Sequence, residues 1–101
     1  MQFITATAAN TLTVKLSGTF RFDDHEVFKG ALDAIDGLSG DSVIFDLADV
    51  SALDSAGVGM LLLAHERGKK QGKVVRLRGG GHNVKQVLDV TKVASIMPVE
   101  D

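Results

Sequence analysis

The stretch Val43-Ile44-Phe45-Asp46-Leu47-Ala48-Asp49-Val50-Ser51-Ala52-Leu53-Asp54-Ser55-Ala56-Gly57-Val58-Gly59-Met60-Leu61-Leu62-Leu63 decides the fold. It begins with a short apolar run, Val43 to Leu47, which predicts a strand covered on both faces inside a parallel sheet. It ends in a strongly apolar segment opening near Ser55, whose first half is apolar nearly all round and which Gly72 stops after about Gln71. A strand followed directly by a helix is the unit of an α/β layer, and here that step delivers a serine to the start of the helix. A hydroxyl at that point sits among free backbone N–H groups and at the positive end of the helix dipole, where added negative charge is favoured.

Working outward, residues from Phe3 to Ala8 and from Thr11 to Ser17 alternate, with Leu12, Val14 and Leu16 on one face and Thr11, Thr13 and Lys15 on the other. This predicts a hairpin turning near Ala9 and Asn10. Val27, Phe28, Ala31, Leu32 and Ile35 form the stripe of an amphipathic helix that Asp24 caps and Gly37 stops. Val74 to Leu77 predict the next strand. Val84, Val87, Leu88 and Thr91 mark one face of a short helix, and Ile96, Met97 and Val99 suggest a last strand that Pro98 limits to an edge or to its end. The order β, β, α, β, α, β, α, β implies a single α/β domain over residues 1–101, with a mixed sheet that starts from an antiparallel hairpin and crossover helices packed upon it.

With 101 residues and 45% hydrophobic content, the chain suffices for one core and is too short for two. No cysteine is present, which excludes disulfides, thiol chemistry and cysteine-ligated zinc. No run approaches the ~20 apolar residues of a membrane span, and the beginning lacks the layout of a signal peptide, so a cytoplasmic protein is expected. A formal net charge of −2 argues against nucleic acid as a partner. The basic group Arg67, Lys69, Lys70, Lys73, Arg76 and Arg78 reads as a helix C-terminus followed by a solvated strand edge.

The candidate sites centre on Asp54 and Ser55. If Asp54 takes the cap, Ser55 falls in the first helical turn with its hydroxyl outward, and Ala56, Gly57 and Gly59 are too small to cover it. Each glycine in a helix costs about 1 kcal/mol relative to alanine, so Gly57 and Gly59 hint at close approach by another surface. Ser55 does not read as a hydrolase nucleophile. Leu53 stands where the nucleophile elbow needs glycine, and His25, His65 and His82 fall on three different elements. A magnesium site or receiver-like acceptor built from Asp46, Asp49 and Asp54 lacks an acidic pair after the first strand, and these residues read instead as loop-shaping and capping groups. Asp23, Asp24, His25 and Glu26 suit the first turn of a helix better than a metal, and Gly79-Gly80-Gly81-His82 matches no phosphate-binding fingerprint and reads as a flexible connection.

Phe45-Asp46-Leu47, then Val50, then Leu53-Asp54-Ser55-Ala56-Gly57-Val58-Gly59 resembles the signature of STAS domains, the anti-sigma factor antagonists of bacterial partner-switching systems. The resemblance spans nearly the whole chain, from the hairpin ending in Leu16-Ser17-Gly18 to the Val84–Val90 helix, and its specific part is the Asp-Ser-x-Gly step. It implies helices on one side of a small mixed sheet, no catalytic activity, no cofactor, and a monomer or weak dimer. Ser55 matches the serine that an anti-sigma factor of the serine-kinase type phosphorylates, and Asp54 the aspartate before it. Gly57 matches the glycine that lets the partner approach, with Ala56, Val58, Gly59 and Asp23 completing the expected partner surface. Unmodified Ser55 would permit binding, its phosphate would release the partner, and a metal-dependent Ser/Thr phosphatase would reset the switch. A constitutive scaffold domain that is never phosphorylated is the alternative. Two departures stand out: Thr19-Phe20-Arg21-Phe22 replaces a short acidic turn, and by Asp101 the closing helix of many members is missing or very short.

Overall fold

Leu12, Val14, Leu16 and Phe20 of one strand enter the same apolar layer as Val43, Phe45 and Leu47 of the next and Val75 and Leu77 of the one after, all of them buried. The computed structural model that shows this describes residues 1–100. The elements run β1 (Gln2–Ala8), β2 (Thr11–Phe20), a 3₁₀ turn (Phe22–Asp24), α1 (His25–Asp36), β3 (Ser42–Leu53), α2 (Ser55–Lys70), β4 (Val74–Arg78), α3 (His82–Val90), a second 3₁₀ turn (Val93–Ser95) and β5 (Val99–Glu100). The sheet order is β1-β2-β3-β4-β5, with β1 antiparallel to β2 and every later pair parallel. Each crossover therefore steps to the adjacent strand in the same direction. Right-handed crossovers of that kind place α1, α2 and α3 on one face and leave no point where the strand order reverses.

The predicted hairpin, three helices and one-sided layering are all present, with Gly37 at the end of α1 and Gly72 just past the end of α2. The expectation that Val43–Leu47 is covered on both faces is corrected. Helices cover only one side, and on the other Ile44 and Asp46 stay half-buried beside Thr13, Arg76 and Arg78. Ion pairs partly screen that open face: Lys15 with Asp49 at 3.4 Å, Arg78 with Asp46 at 3.7 Å and Arg76 with Glu100 at 3.3 Å. With both partners partly exposed, such pairs add little stability and serve chiefly to keep the face solvated.

β3 is also much longer than the sequence suggests. Alternation fails at Ala48-Asp49 and again before Leu53 because the strand bulges twice against β2: Lys15 and Ser17 face Asp46 and Asp49, and Gly18 and Thr19 face Val50 and Ala52. Asp49, which lies beyond the predicted strand, thus falls within β3, and the Asp46 carboxylate accepts a hydrogen bond from the Ala48 N–H at 3.0 Å. The last strand is displaced as well. It contains only Val99–Glu100, because the chain at Val93–Ser95 is wound into a 3₁₀ turn that leaves Ile96 and Met97 outside the ladder. The glycine run is a shaped turn rather than a slack one, with positive φ at Gly79 and Gly80 and the Gly79 N–H donating to the Glu100 carbonyl at 2.8 Å.

The core is centred on a run of three rings, Phe20, Phe28 and Phe45, with centroid separations of 5.1 and 5.6 Å. They tie β2, α1 and β3 together where the site is built. Phe45→Ala should cost about 3–5 kcal/mol and lower Tm by more than about 10 °C, read by thermal or urea unfolding.

Candidate functional site

The start of α2 is fixed by three hydrogen bonds of Asp54. Asp54, in extended conformation, caps the helix: its carboxylate accepts from the Gly57 N–H at 2.9 Å, and its carbonyl accepts from Val58 N–H at 3.1 Å. Its own N–H donates to the Phe20 carbonyl at 3.3 Å, so the cap is joined to the end of β2. Gly57 lies against that same carbonyl. A Cβ there would stand 2.5 Å from the Phe20 oxygen and 2.6 Å from Leu53 Cδ1, closer than side chains approach in folded proteins.

These relations sort the expected site residues. Ser55 is exposed in the first turn of α2, Gly59 is exposed with open space around it, and Asp54 and Ala56 are half-buried. Gly57 and Val58 are buried, so two of the residues expected on the partner surface are corrected: the small size of Gly57 admits strand β2 of the same domain, and Val58 packs in the core at 5% exposure. The exposed side of α2 continues from Ser55 and Gly59 to Leu63, 46% exposed, and Glu66, while Met60, Leu61, Ala64 and Gly68 face inward. Asp23 is exposed in the 3₁₀ turn that lies against α2.

The other proposed chemistries find no common site. Among the described residues the Ser55 hydroxyl makes no side-chain hydrogen bond with a histidine or any other group. Asp46, Asp49 and Asp54 are each engaged separately, with Arg78, Lys15 and the α2 cap, and among the described residues no group of three acidic or histidine side chains is arranged to hold a metal.

Asp24 emerges as the anchor of the neighbouring turn. It is nearly buried at 8% exposure, and its carboxylate accepts from the Met1 ammonium and from the Arg21 N–H, each at 2.8 Å. Burial acts to raise its pKa, but the ammonium and the backbone donor together outweigh burial and leave it below the ordinary aspartate value. Asp24 stands at the N-cap of α1 as the sequence predicts, but its side chain caps no N–H of that helix and holds the preceding turn instead. Sequence reasoning missed Phe20 and Phe22. The first was legible as the continuation of Leu12, Val14 and Leu16 at even spacing, whereas nothing in the pattern marks Phe22, 73% exposed beside the site, as a surface residue.

The geometry defines a class: a small singly wound α/β domain that displays a capped helix start with an accessible serine. A family model described as "Mlab, STAS domain" matches residues 4–98, and the chain belongs to the STAS-domain family. A STAS-domain containing protein of Pseudomonas aeruginosa (strain UCBPP-PA14) is 24% identical over 88 residues, covering 87% of this chain and 86% of that one. An anti-sigma factor antagonist from Mycobacterium paratuberculosis superposes with TM-score 0.86 at 18% identity, covering 98% of this chain and 84% of that one. The anti-sigma factor antagonist SpoIIAA in its unphosphorylated form gives 0.79 at 18% identity, covering 96% and 86%. The phosphorylated form of SpoIIAA, a Bacillus cell fate determinant, gives 0.70 at 18% identity, covering 96% and 89%. At these identities the structural likeness is one of fold.

Gly57→Ala should lower stability by about 1–3 kcal/mol, measured by urea unfolding, whereas Gly59→Ala, with room for a methyl group, should raise it by up to about 1 kcal/mol. Because the folded pKa of Asp24 lies below its usual 3.8, its stabilisation is fully present above that value and is lost as pH falls through the folded pKa. Asp24→Asn should therefore cost about 1–3 kcal/mol near neutral pH, a deficit that shrinks in acid, as unfolding curves across pH would record.

Proposed function

We propose that this STAS domain is a phosphorylation-controlled protein-binding module of the anti-sigma factor antagonist type, which acts by binding and not by catalysis. The observation that carries the reading is the exposure of Ser55 in the first turn of a helix whose start is locked from behind. Its partner is an anti-sigma factor that is also a serine kinase, bound while Ser55 is unmodified, and a Ser/Thr phosphatase resets the switch. The binding surface consists of Asp54, Ser55, Ala56 and Gly59 with Asp23, and Phe22 adds an aromatic anchor at its margin.

The physics of the switch rests on charge at a contact. A phosphate brings about −1.5 to −2 charges and strong acceptor oxygens. The helix dipole favours it, while the Asp54 carboxylate, already on the Gly57 N–H, opposes it. These effects offset each other within the domain, so the modification bears chiefly on the partner: it must desolvate a dianion against a surface already carrying Asp54 and Asp23. Each 1.4 kcal/mol of that penalty is tenfold in affinity.

The test is partner capture and titration with variants at one position. Ser55→Ala should bind as the unmodified protein does, and Ser55→Glu should bind at least about tenfold more weakly. Equal affinity for both would overturn the switch. Intact mass of the protein recovered from its own cells should show a population carrying one phosphate on Ser55; binding with no such population would favour the constitutive scaffold.

A further inference from the structure

The edge of the sheet at β1 is chemically unprotected. β1 pairs with β2 over seven consecutive residues without a bulge, and the sheet order places no strand on its other side among the described residues. Its sequence, Gln2-Phe3-Ile4-Thr5-Ala6-Thr7-Ala8, has no charge, proline or glycine. Sheet edges are ordinarily blunted by charged side chains, proline, a bulge or shortness. The opposite edge, β5, is blunted in that way, at two residues directly after Pro98. β1 has none of these devices, and Ile4 is 69% exposed on it.

We propose that β1 is a dimerisation edge: two copies of this chain pair their β1 strands antiparallel, Thr5 opposite Thr5, to form one continuous ten-stranded sheet. The register follows from the pleat. Phe3, Thr5 and Thr7 share the helix-covered face with Leu16, Val14 and Leu12, and Gln2, Ile4 and Ala6 share the open face with Ser17, Lys15 and Thr13. Antiparallel pairing keeps each face continuous only when residues of like parity meet. Among such registers, the one centred on Thr5 uses all seven residues. It is also matched in size, with Phe3 opposite Thr7 and Ile4 opposite Ala6, and brings no like charges together.

A groove supports the same occupant. Thr5, Thr7, Leu12, Ala34 and Leu38 line a depression of about 330 Å³ between β1 and the end of α1. In the Thr5-centred register, the partner's β1 backbone runs along the rim of that depression past Thr5 and Thr7, and the two-fold axis repeats the contact. A two-fold pairing of identical strands is self-complementary in its backbone ladder, so a second copy satisfies the outward N–H and C=O groups without any further sequence requirement. One seven-residue strand with its flanking side chains buries less than the ~1,200–2,000 Å² of stable interfaces, so the dimer is concentration-dependent, with Kd in the range of about 10 µM to 1 mM. The pairing uses no residue of the Ser55 surface and stands independently of the proposed switch.

The experiment is sedimentation equilibrium on the intact chain with charges placed on the two-fold axis. The unmodified protein should dimerise within the stated range. Thr5→Lys and Thr5→Asp should each weaken self-association by about tenfold or more while keeping the far-UV spectrum and thermal transition of the parent. Mixing the two variants should restore association as a one-to-one heterodimer, because only this register sets position 5 against itself. A monomer throughout that range, or variants that self-associate as the parent does, would overturn the proposal; the former result would leave the edge to an extended segment of a different protein.

Discussion

The contact between the end of β2 and the beginning of α2 is the constraint on which the rest depends. The Phe20 carbonyl accepts from the Asp54 N–H and lies against Gly57, while its ring joins Phe28 and Phe45 in the core. One residue thus couples the apolar interior to the helix start, and the Asp54 carboxylate completes the lock from the solvent side. The position of Ser55, the first residue of α2, follows from this arrangement.

The winding of the sheet explains why the display falls at one end. Three parallel strands each hand the chain to a helix, so α1, α2 and α3 all begin at the carboxyl edge of the sheet, where helix dipoles are positive. Without a reversal in strand order, the sheet lacks the switch-point crevice in which open α/β sheets bind small ligands. At the opposite end, α1 and α2 are tied by Asp36, which accepts from Arg67 at 3.1 Å and from Gln71 at 2.6 Å, while Lys73 donates to the Ile35 carbonyl at 2.6 Å. Their far ends are therefore linked by side-chain hydrogen bonds.

Much of this was legible in the residues, because periodicity reports which side of an element is buried. The stripe Phe28, Ala31, Leu32 and Ile35 gave α1, alternation at Leu12, Val14 and Leu16 gave β2, and Asp54 was identifiable as the cap of α2. What escaped was what depends on pairing. The apolar run alone predicts a β3 that ends at Leu47, because its bulges break the alternation and a bulge is visible only once β2 lies alongside. Gly57 was assigned to a partner because a sequence records that space is needed and not which surface fills it. The Asp24–Met1 pair spans 23 residues, beyond any local pattern.

The two sides of α2 have opposite duties. Gly57, Val58, Met60, Leu61, Ala64 and Gly68 face the core, whereas Ser55, Gly59, Leu63 and Glu66 face outward. Because the outward set bears little of the folding energy, it is free to drift during evolution at small thermodynamic cost. After gene duplication, daughter copies can therefore diverge on this outward side while the scaffold behind it stays unchanged.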